Sequence, residues 1–574
     1  MLAATSMIES TMRLALPIAL PALLASALAA PLGATSRSGG VVVLPFPMQR
    51  ASDAPEARMA PDAQAMGALE QHGRVLMQGV LLGDGSIVDL ELERIPLERV
   101  VDPSAWHVDG VPRPLGDMDQ TLWSGKVVGQ PESDVYLSLS PLASRGWVWR
   151  RGDWQHLASL EGTDSPHLSC WVSEARLASA GFQPRFDCRT PAVPGAASLP
   201  PAPLASNHLA TVVRTCRVSV ECDWQLTQRF GGDAQAAANY VIALYGALSQ
   251  RFYEQVDAVL QLAHLGTYST ASDPWQSQEN GAGLGGLLDE FRIAWTNALP
   301  GGGALGHFLS GADLGGGLAY VDVLCNGSWG FGASSGINFY GGQTPLPVQQ
   351  GPFTWDYYVV AHEMGHNFGS LHTHDYCPPL DQCAAGSCSA GGQCSTSGTI
   401  MSYCHTCGAG MANISPYFHP TTAQIMKARV QASGCMPAYC TMEAIGYCAL
   451  SPNSVDPFGA QIGWQGSLRL SQGAFMLETT SVPPNTPCMY IFGPNQTQAP
   501  FGNGYRCVAS PVLRLPRFNA SPWGDALWML DFASYPGSTI AAGAPQHFQL
   551  WYRNSAAGGA GFNFSDGLRV AFCP

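Results

Sequence analysis

Apolar and polar residues alternate in short runs through the first third of the chain. Arg74–Leu82, Ser86–Leu92, Val135–Leu139 and Trp147–Trp149 each follow a period near two, the signature of half-buried strands. They predict a β-rich domain reaching to about Arg189. The tract from Thr190 to Pro203 is dominated by proline, alanine and glycine and reads as a linker. From about Thr211 the pattern changes. Val212–Cys222 is strand-like, Asp233–Val256 carries a long helical period, Ala258–Tyr268 is a strand, and Gly281–Leu299 is helical. Gly317–Leu324 is another strand, followed by a glycine-rich stretch, Ser328–Gly342. Thr354 is placed to cap a helix with Asp356 in its first turn, and Pro420 opens a last helix, Thr421–Ala432. Alternating strands and helices predict an α/β domain, a twisted mixed sheet with a helix packed under it. After Cys440 the helical signal stops. Ser467–Leu470, Phe475–Thr479, Met489–Phe492, Val512–Leu515, Ala526–Phe532, Phe548–Tyr552 and Leu568–Phe572 read as short strands between turns, which predicts a β-sandwich.

The ends and the composition add a compartment. Met12-Arg13 followed by apolar Leu14–Leu28 and Ala27-Leu28-Ala29 fits a secretion signal with its cleavage site. The apolar run is short for a membrane span and holds Pro17 and Pro21; no other segment is long and apolar enough to cross a bilayer. The expected organisation is a signal over 1–30, a β-rich segment over 31–189, a linker over 190–207, an α/β domain over 208–440 and a β-sandwich over 441–574. Charged residues make up 12% of the 574, the net charge is −14, and the two lysines are Lys126 and Lys427, so no basic stripe suggests nucleic acid. Seventeen cysteines suit an oxidising, extracellular setting, and the odd number leaves at least one outside any internal disulfide.

The chemistry lies in His362-Glu363-Met364-Gly365-His366-Asn367-Phe368-Gly369-Ser370-Leu371-His372. His362 and His366 are four positions apart, so on a helix they share a face and can share one metal ion. Glu363 adjoins the first ligand and can act as general base toward a metal-bound water. Gly369 can take a positive φ, ending the helix and turning the chain so that His372 returns as the third ligand. Three neutral imidazoles leave a fourth position open, the pattern of a catalytic zinc. His374 competes with His372 for the third place.

This motif, H-E-x-x-H-x-x-G-x-x-H, resembles that of the metzincin zinc proteases, and Thr211 to Cys440 is similar to their adamalysin (reprolysin) branch, most like secreted bacterial members. The resemblance implies one catalytic Zn²⁺ and hydrolysis of peptide bonds in protein or peptide substrates. It implies further that Gly317, Leu318 and Ala319 open the edge strand that pairs with substrate, and that Thr399–Tyr403 is the Met-turn with Met401 under the ligands. Tyr403 sits where related branches place a tyrosine that contacts zinc or the reacting oxyanion; packing is the alternative. Cys325 with Cys435, and Cys377, resemble disulfide positions. The branch usually has Asp directly after the third histidine; here Thr373 follows, and Asp375 is the candidate for the orienting role. Glu221 is the one candidate for a calcium ligand. Leu122–Gly129 resembles a prosegment tract, which implies a zymogen. A thiolate can fill the open zinc position. Cys170 and Cys188 are the two cysteines before the linker, so either they pair or one of them caps the metal. The expectation is a secreted zinc endopeptidase whose C-terminal domain offers a face for a surface or matrix ligand. The alternative is a secreted adhesion or binding protein using the same scaffold.

Overall fold

The computed structural model describes residues 42–50, 59–159 apart from 71, 119 and 142, 169–174, 177, 188, 190, 191, 193, 212–338, 353–440 and 443–573. The signal over 1–30 and most of the linker over 190–207 lie outside the described residues. Among those described, no helix is long and apolar enough to cross a membrane.

The N-terminal part is built on a ten-stranded sheet. Its central ladder runs Arg74–Leu81, Ile87–Ile95, Thr121–Val127, Gln130–Leu139, Arg145–Arg150, Asp153–Ser159 and Ser169–Ser173, all antiparallel. Alternation drives this part, as the run Arg74–Leu81 shows: Val75, Met77 and Val80 are buried on one side and Arg74 is exposed on the other.

The α/β part has a seven-stranded sheet. From one edge the order is Gly317–Ala319, Phe331–Ser334, Leu305–Leu309, Arg214–Cys222, Ala258–Thr267, Trp106–Val108 and Val111–Pro112. The pairs at the two edges are antiparallel and the inner pairs parallel. Two of these strands come from ahead of the linker. The helix Ala234–Val256 packs on this sheet through an almost continuous apolar face, and the helix Phe353–Asn367 is buried along its whole length. Leu305–Leu309 and Phe331–Ser334 were not expected from the sequence. Both are wholly buried, so they lack the alternation that marks half-exposed strands. The strand expected over Gly317–Leu324 is short, Gly317–Ala319. Thr354 is no cap: it lies within the helix, and its hydroxyl pairs with His156 Nδ1 at 3.0 Å.

After residue 443, a seven-stranded and a three-stranded sheet share one apolar core that includes Phe475, Tyr490, Phe548 and Phe572. Ser467–Leu470 is not a strand; Leu470 begins a 3₁₀ turn. The disulfide Cys440–Cys573 joins the two ends of this part. Cys325–Cys435 forms as the resemblance implied. Cys377–Cys388, Cys383–Cys404 and Cys394–Cys407 staple the loops around the histidine motif.

Candidate metal centre

The helix Phe353–Asn367 presents His362 and His366 one turn apart, with ring centres 4.8 Å apart. The helix ends where the sequence suggested. Gly369 has φ +96°, and its N–H donates to His366 O at 2.8 Å while that of Ser370 donates to Gly365 O at 3.0 Å. The turn returns His372, whose Nε2 lies 3.2 Å from His366 Nε2. His374 stacks flat on the His372 ring at 5.0 Å and belongs to no group that includes His362 and His366. The group formed with His362 and His366 thus includes His372 and not His374.

Each imidazole is oriented through its other nitrogen. His362 Nδ1–H donates to Ile400 O at 2.7 Å, His366 Nδ1–H to Ser370 O at 2.8 Å, and His372 Nδ1 pairs with Asp375 Oδ2 at 3.1 Å. With Nδ1 engaged, Nε2 is left as the ligand atom. Asp375 thus fills the orienting role from two positions beyond the expected place. Burial, reinforced by the neighbouring imidazoles, pushes His362 and His366 well below the usual histidine range, which keeps them neutral and fit to bind metal.

The fourth corner holds a sulfur. Cys188 Sγ lies 3.5 Å from His366 Nε2 and 3.5 Å from Glu363 Oε2, and Cys188, His362, His366 and His372 bring one ligand atom each to within 4.8 Å of one another. Zn–N bonds of roughly 2.0–2.1 Å and a Zn–S bond of about 2.3 Å give tetrahedral N···N and S···N edges of about 3.3 and 3.5 Å. The two edges quoted match, so the donor set fits zinc. No disulfide joins Cys170 to Cys188. Cys170 sits opposite Ala158 in the strand Ser169–Ser173 and is outside the cluster.

Glu363 is fully buried, and desolvation raises its carboxyl to about 8. Its Oε1 has no hydrogen-bond partner among the described residues. It rests against Gly317, the first residue of the sheet-edge strand. Met401 is fully buried, and a Cβ on Gly365 would come 2.5 Å from its Sδ, so the methionine lies against the helix between the two ligands. Tyr403 donates its hydroxyl to Cys188 O at 2.7 Å and packs its ring 4.8 Å from that of His372. Glu221 does not join a metal-capable group among the described residues. Its carboxylate accepts from Tyr268 at 2.6 Å and from Trp275 at 3.3 Å, and pairs with His264 Nε2 at 3.3 Å.

Sequence reasoning did not find the floor of oriented carbonyls or the contact between Gly317 and Glu363. A glycine at the head of an apolar strand was the visible signal for the latter.

Residues 212–415 match the family model described as Reprolysin_5, Metallo-peptidase family M12. No curated protein matches the sequence. Among solved structures, metalloproteinase-II from Bacteroides fragilis is 12% identical, with 68% of this chain and 98% of that one covered and a TM-score of 0.38. A chaperone–substrate complex is 12% identical over 50% of this chain and 38% of that one, with a TM-score of 0.22.

Proposed function

We propose that this chain, in which residues 212–415 form a reprolysin-like metzincin metallopeptidase domain, is a secreted zinc endopeptidase held latent by Cys188. The observation that carries the proposal is the convergence of three oriented imidazoles and one thiol on a single point, with Glu363 beside it. Zinc held by His362, His366 and His372 would supply a Lewis acid for water and for the scissile carbonyl. The rest falls to the protein. The strand Gly317–Ala319 lies at the edge of the sheet among the described residues, where an extended peptide can pair with it. Glu363 takes a proton from the attacking water and returns it to the leaving amine. While Cys188 is seated, the fourth position is filled and Tyr403 is engaged by the Cys188 carbonyl. Departure of Cys188 opens that position and removes its carbonyl from the Tyr403 hydroxyl, to which we assign a hydrogen bond to the carbonyl oxygen as it becomes an anion. A scaffold used only for adhesion would need the histidines but not Glu363.

The test compares the full chain with Cys188→Ser on an unfolded protein substrate. The intact chain should be silent, and Cys188→Ser should cleave, stop on chelation and lose activity with Glu363→Ala while keeping its zinc. Undiminished turnover by Glu363→Ala would sink the mechanism. Latency unchanged in Cys188→Ser would sink the thiol cap.

A further inference from the structure

The N-terminal domain does not sit on the catalytic domain as a detachable plug. Trp106–Val108 extends the catalytic sheet in parallel with Ala258–Thr267, Leu265 facing Trp106 and Thr267 facing Val108. Asp102 N–H donates to Leu262 O at 2.9 Å, Leu265 N–H to Ala105 O at 2.8 Å and Asp109 N–H to Thr267 O at 3.0 Å. Without these partners Ala258–Thr267, most of whose side chains are buried, would become an open apolar edge strand.

A second contact lies on the helix Ala234–Val256. Gly246 sits in its middle, where glycine costs roughly as much as any residue but proline. A Cβ there would come 2.8 Å from Leu122 Cδ1 and closer still to the Tyr136 hydroxyl, which donates to Ala243 O at 2.6 Å. The helix Ala234–Val256 is thus shaped to receive the N-terminal domain. Beside it, Asp134 and Arg251 form a buried ion pair at 2.7 Å, their side chains 9% and 4% exposed. Trp147 packs 4.7 Å from Tyr357, a residue of the motif helix, and belongs to the same apolar core as the catalytic sheet. Trp154 Nε1–H donates to Ile414 O at 2.9 Å, bracing the segment that follows the Met-turn. Aromatic side chains of this kind bury roughly 150–250 Å² each. Trp106, Tyr136, Trp147 and Trp154 all lie in the one apolar core that also holds the catalytic sheet and its helices.

We infer that the N-terminal domain is a permanent, non-covalently held subunit of the working enzyme. Activation removes Cys188 from the metal site and leaves this domain in place as the outer strands of the catalytic sheet and a brace against the motif helix. The inference rests on the reading of the chain as a zymogen, but its test does not need activity.

The experiment replaces residues 196–203 with the recognition sequence of a site-specific protease in the full chain carrying Glu363→Ala, so that no self-digestion follows. After folding and complete cutting, light scattering on a sizing column should give one species of the uncut mass, resolved into two fragments only in denaturant. Asp134→Ala, with its uncut form shown folded by circular dichroism, should speed separation of the cut fragments by about two to three decades, as expected when one partner of a buried pair is removed. Two separate peaks from the cut parent protein at micromolar concentration would overturn the inference and leave the protease assignment standing. Cut fragments that co-elute while Cys188→Ser fails to cleave an unfolded substrate would leave this inference standing and count against the catalytic reading alone.

Discussion

Gly317→Ala should disable the catalytic site without emptying it. The glycine has no positive φ, so it is present for space rather than for backbone freedom. A Cβ there would lie 2.5 Å from both Cγ and Cδ of Glu363, and closer still to Oε1. Carbon–carbon contacts settle near roughly 3.5–4.0 Å, so the Glu363 side chain must move by about 1 Å. It is fully buried, and a swing of its tip alone does not clear a clash at Cγ. Misplacing a reacting group by about 1 Å costs on the order of 10²-fold, or about 2.7 kcal/mol in the barrier. Overpacking should lower stability by roughly 1–3 kcal/mol. The three atoms nearest the new methyl group all belong to Glu363, so zinc should remain at one per chain. The assay is kcat/KM on a quenched fluorescent peptide in the activated protein, with zinc content and thermal midpoint from the same preparation. Activity within about threefold of the parent, or zinc lost in step with activity, would refute the reasoning.

Asp375→Ala should weaken zinc binding by roughly 10–100-fold, because His372 loses the partner that fixes its ring, whereas His374→Ala should retain the metal; competition with a chelator of known affinity reads both. Asp356 is buried with Tyr240 and the Asn338 N–H as partners, and burial raises its carboxyl to about 7. The folded state therefore holds a proton that the unfolded chain has released, so this group makes stability fall as pH rises from about 4 to about 7. Asp356→Asn should flatten that part of the profile in denaturant titrations at several pH values, and an unchanged slope would contradict the assignment. Removing the Cys325–Cys435 bridge, which spans 110 residues, with paired serines should cost roughly 2–5 kcal/mol of stability, measured by the same titrations.

What was legible in the sequence was what local periodicity and short spacing encode. The spacing of His362, His366 and Gly369 specified a helix, its end and two imidazoles on one face, because each follows from one turn of chain. The long helix Ala234–Val256 showed itself by a sustained apolar face. Leu305–Leu309 and Phe331–Ser334 were hidden because strands buried on both sides carry no alternation, and Gly332 within the second resembles a turn residue. The strand Trp106–Val108 was unreadable as part of the catalytic sheet because its partner lies beyond the linker, and no local pattern specifies so distant a pairing. The same limit left Cys170 and Cys188 indistinguishable until the fold placed one in a strand and the other beside three histidines. Gly246 was the available hint that something outside the domain presses on its helix.

The central claim is that Cys188 completes a metal site made by His362, His366 and His372. X-ray absorption at the zinc edge of the uncut, zinc-loaded chain tests it without reference to activity. The account predicts one sulfur at about 2.3 Å and three nitrogens at about 2.0–2.1 Å, with the sulfur replaced by a light atom in Cys188→Ser. A spectrum of the uncut chain with four nitrogen or oxygen neighbours and no sulfur would contradict it.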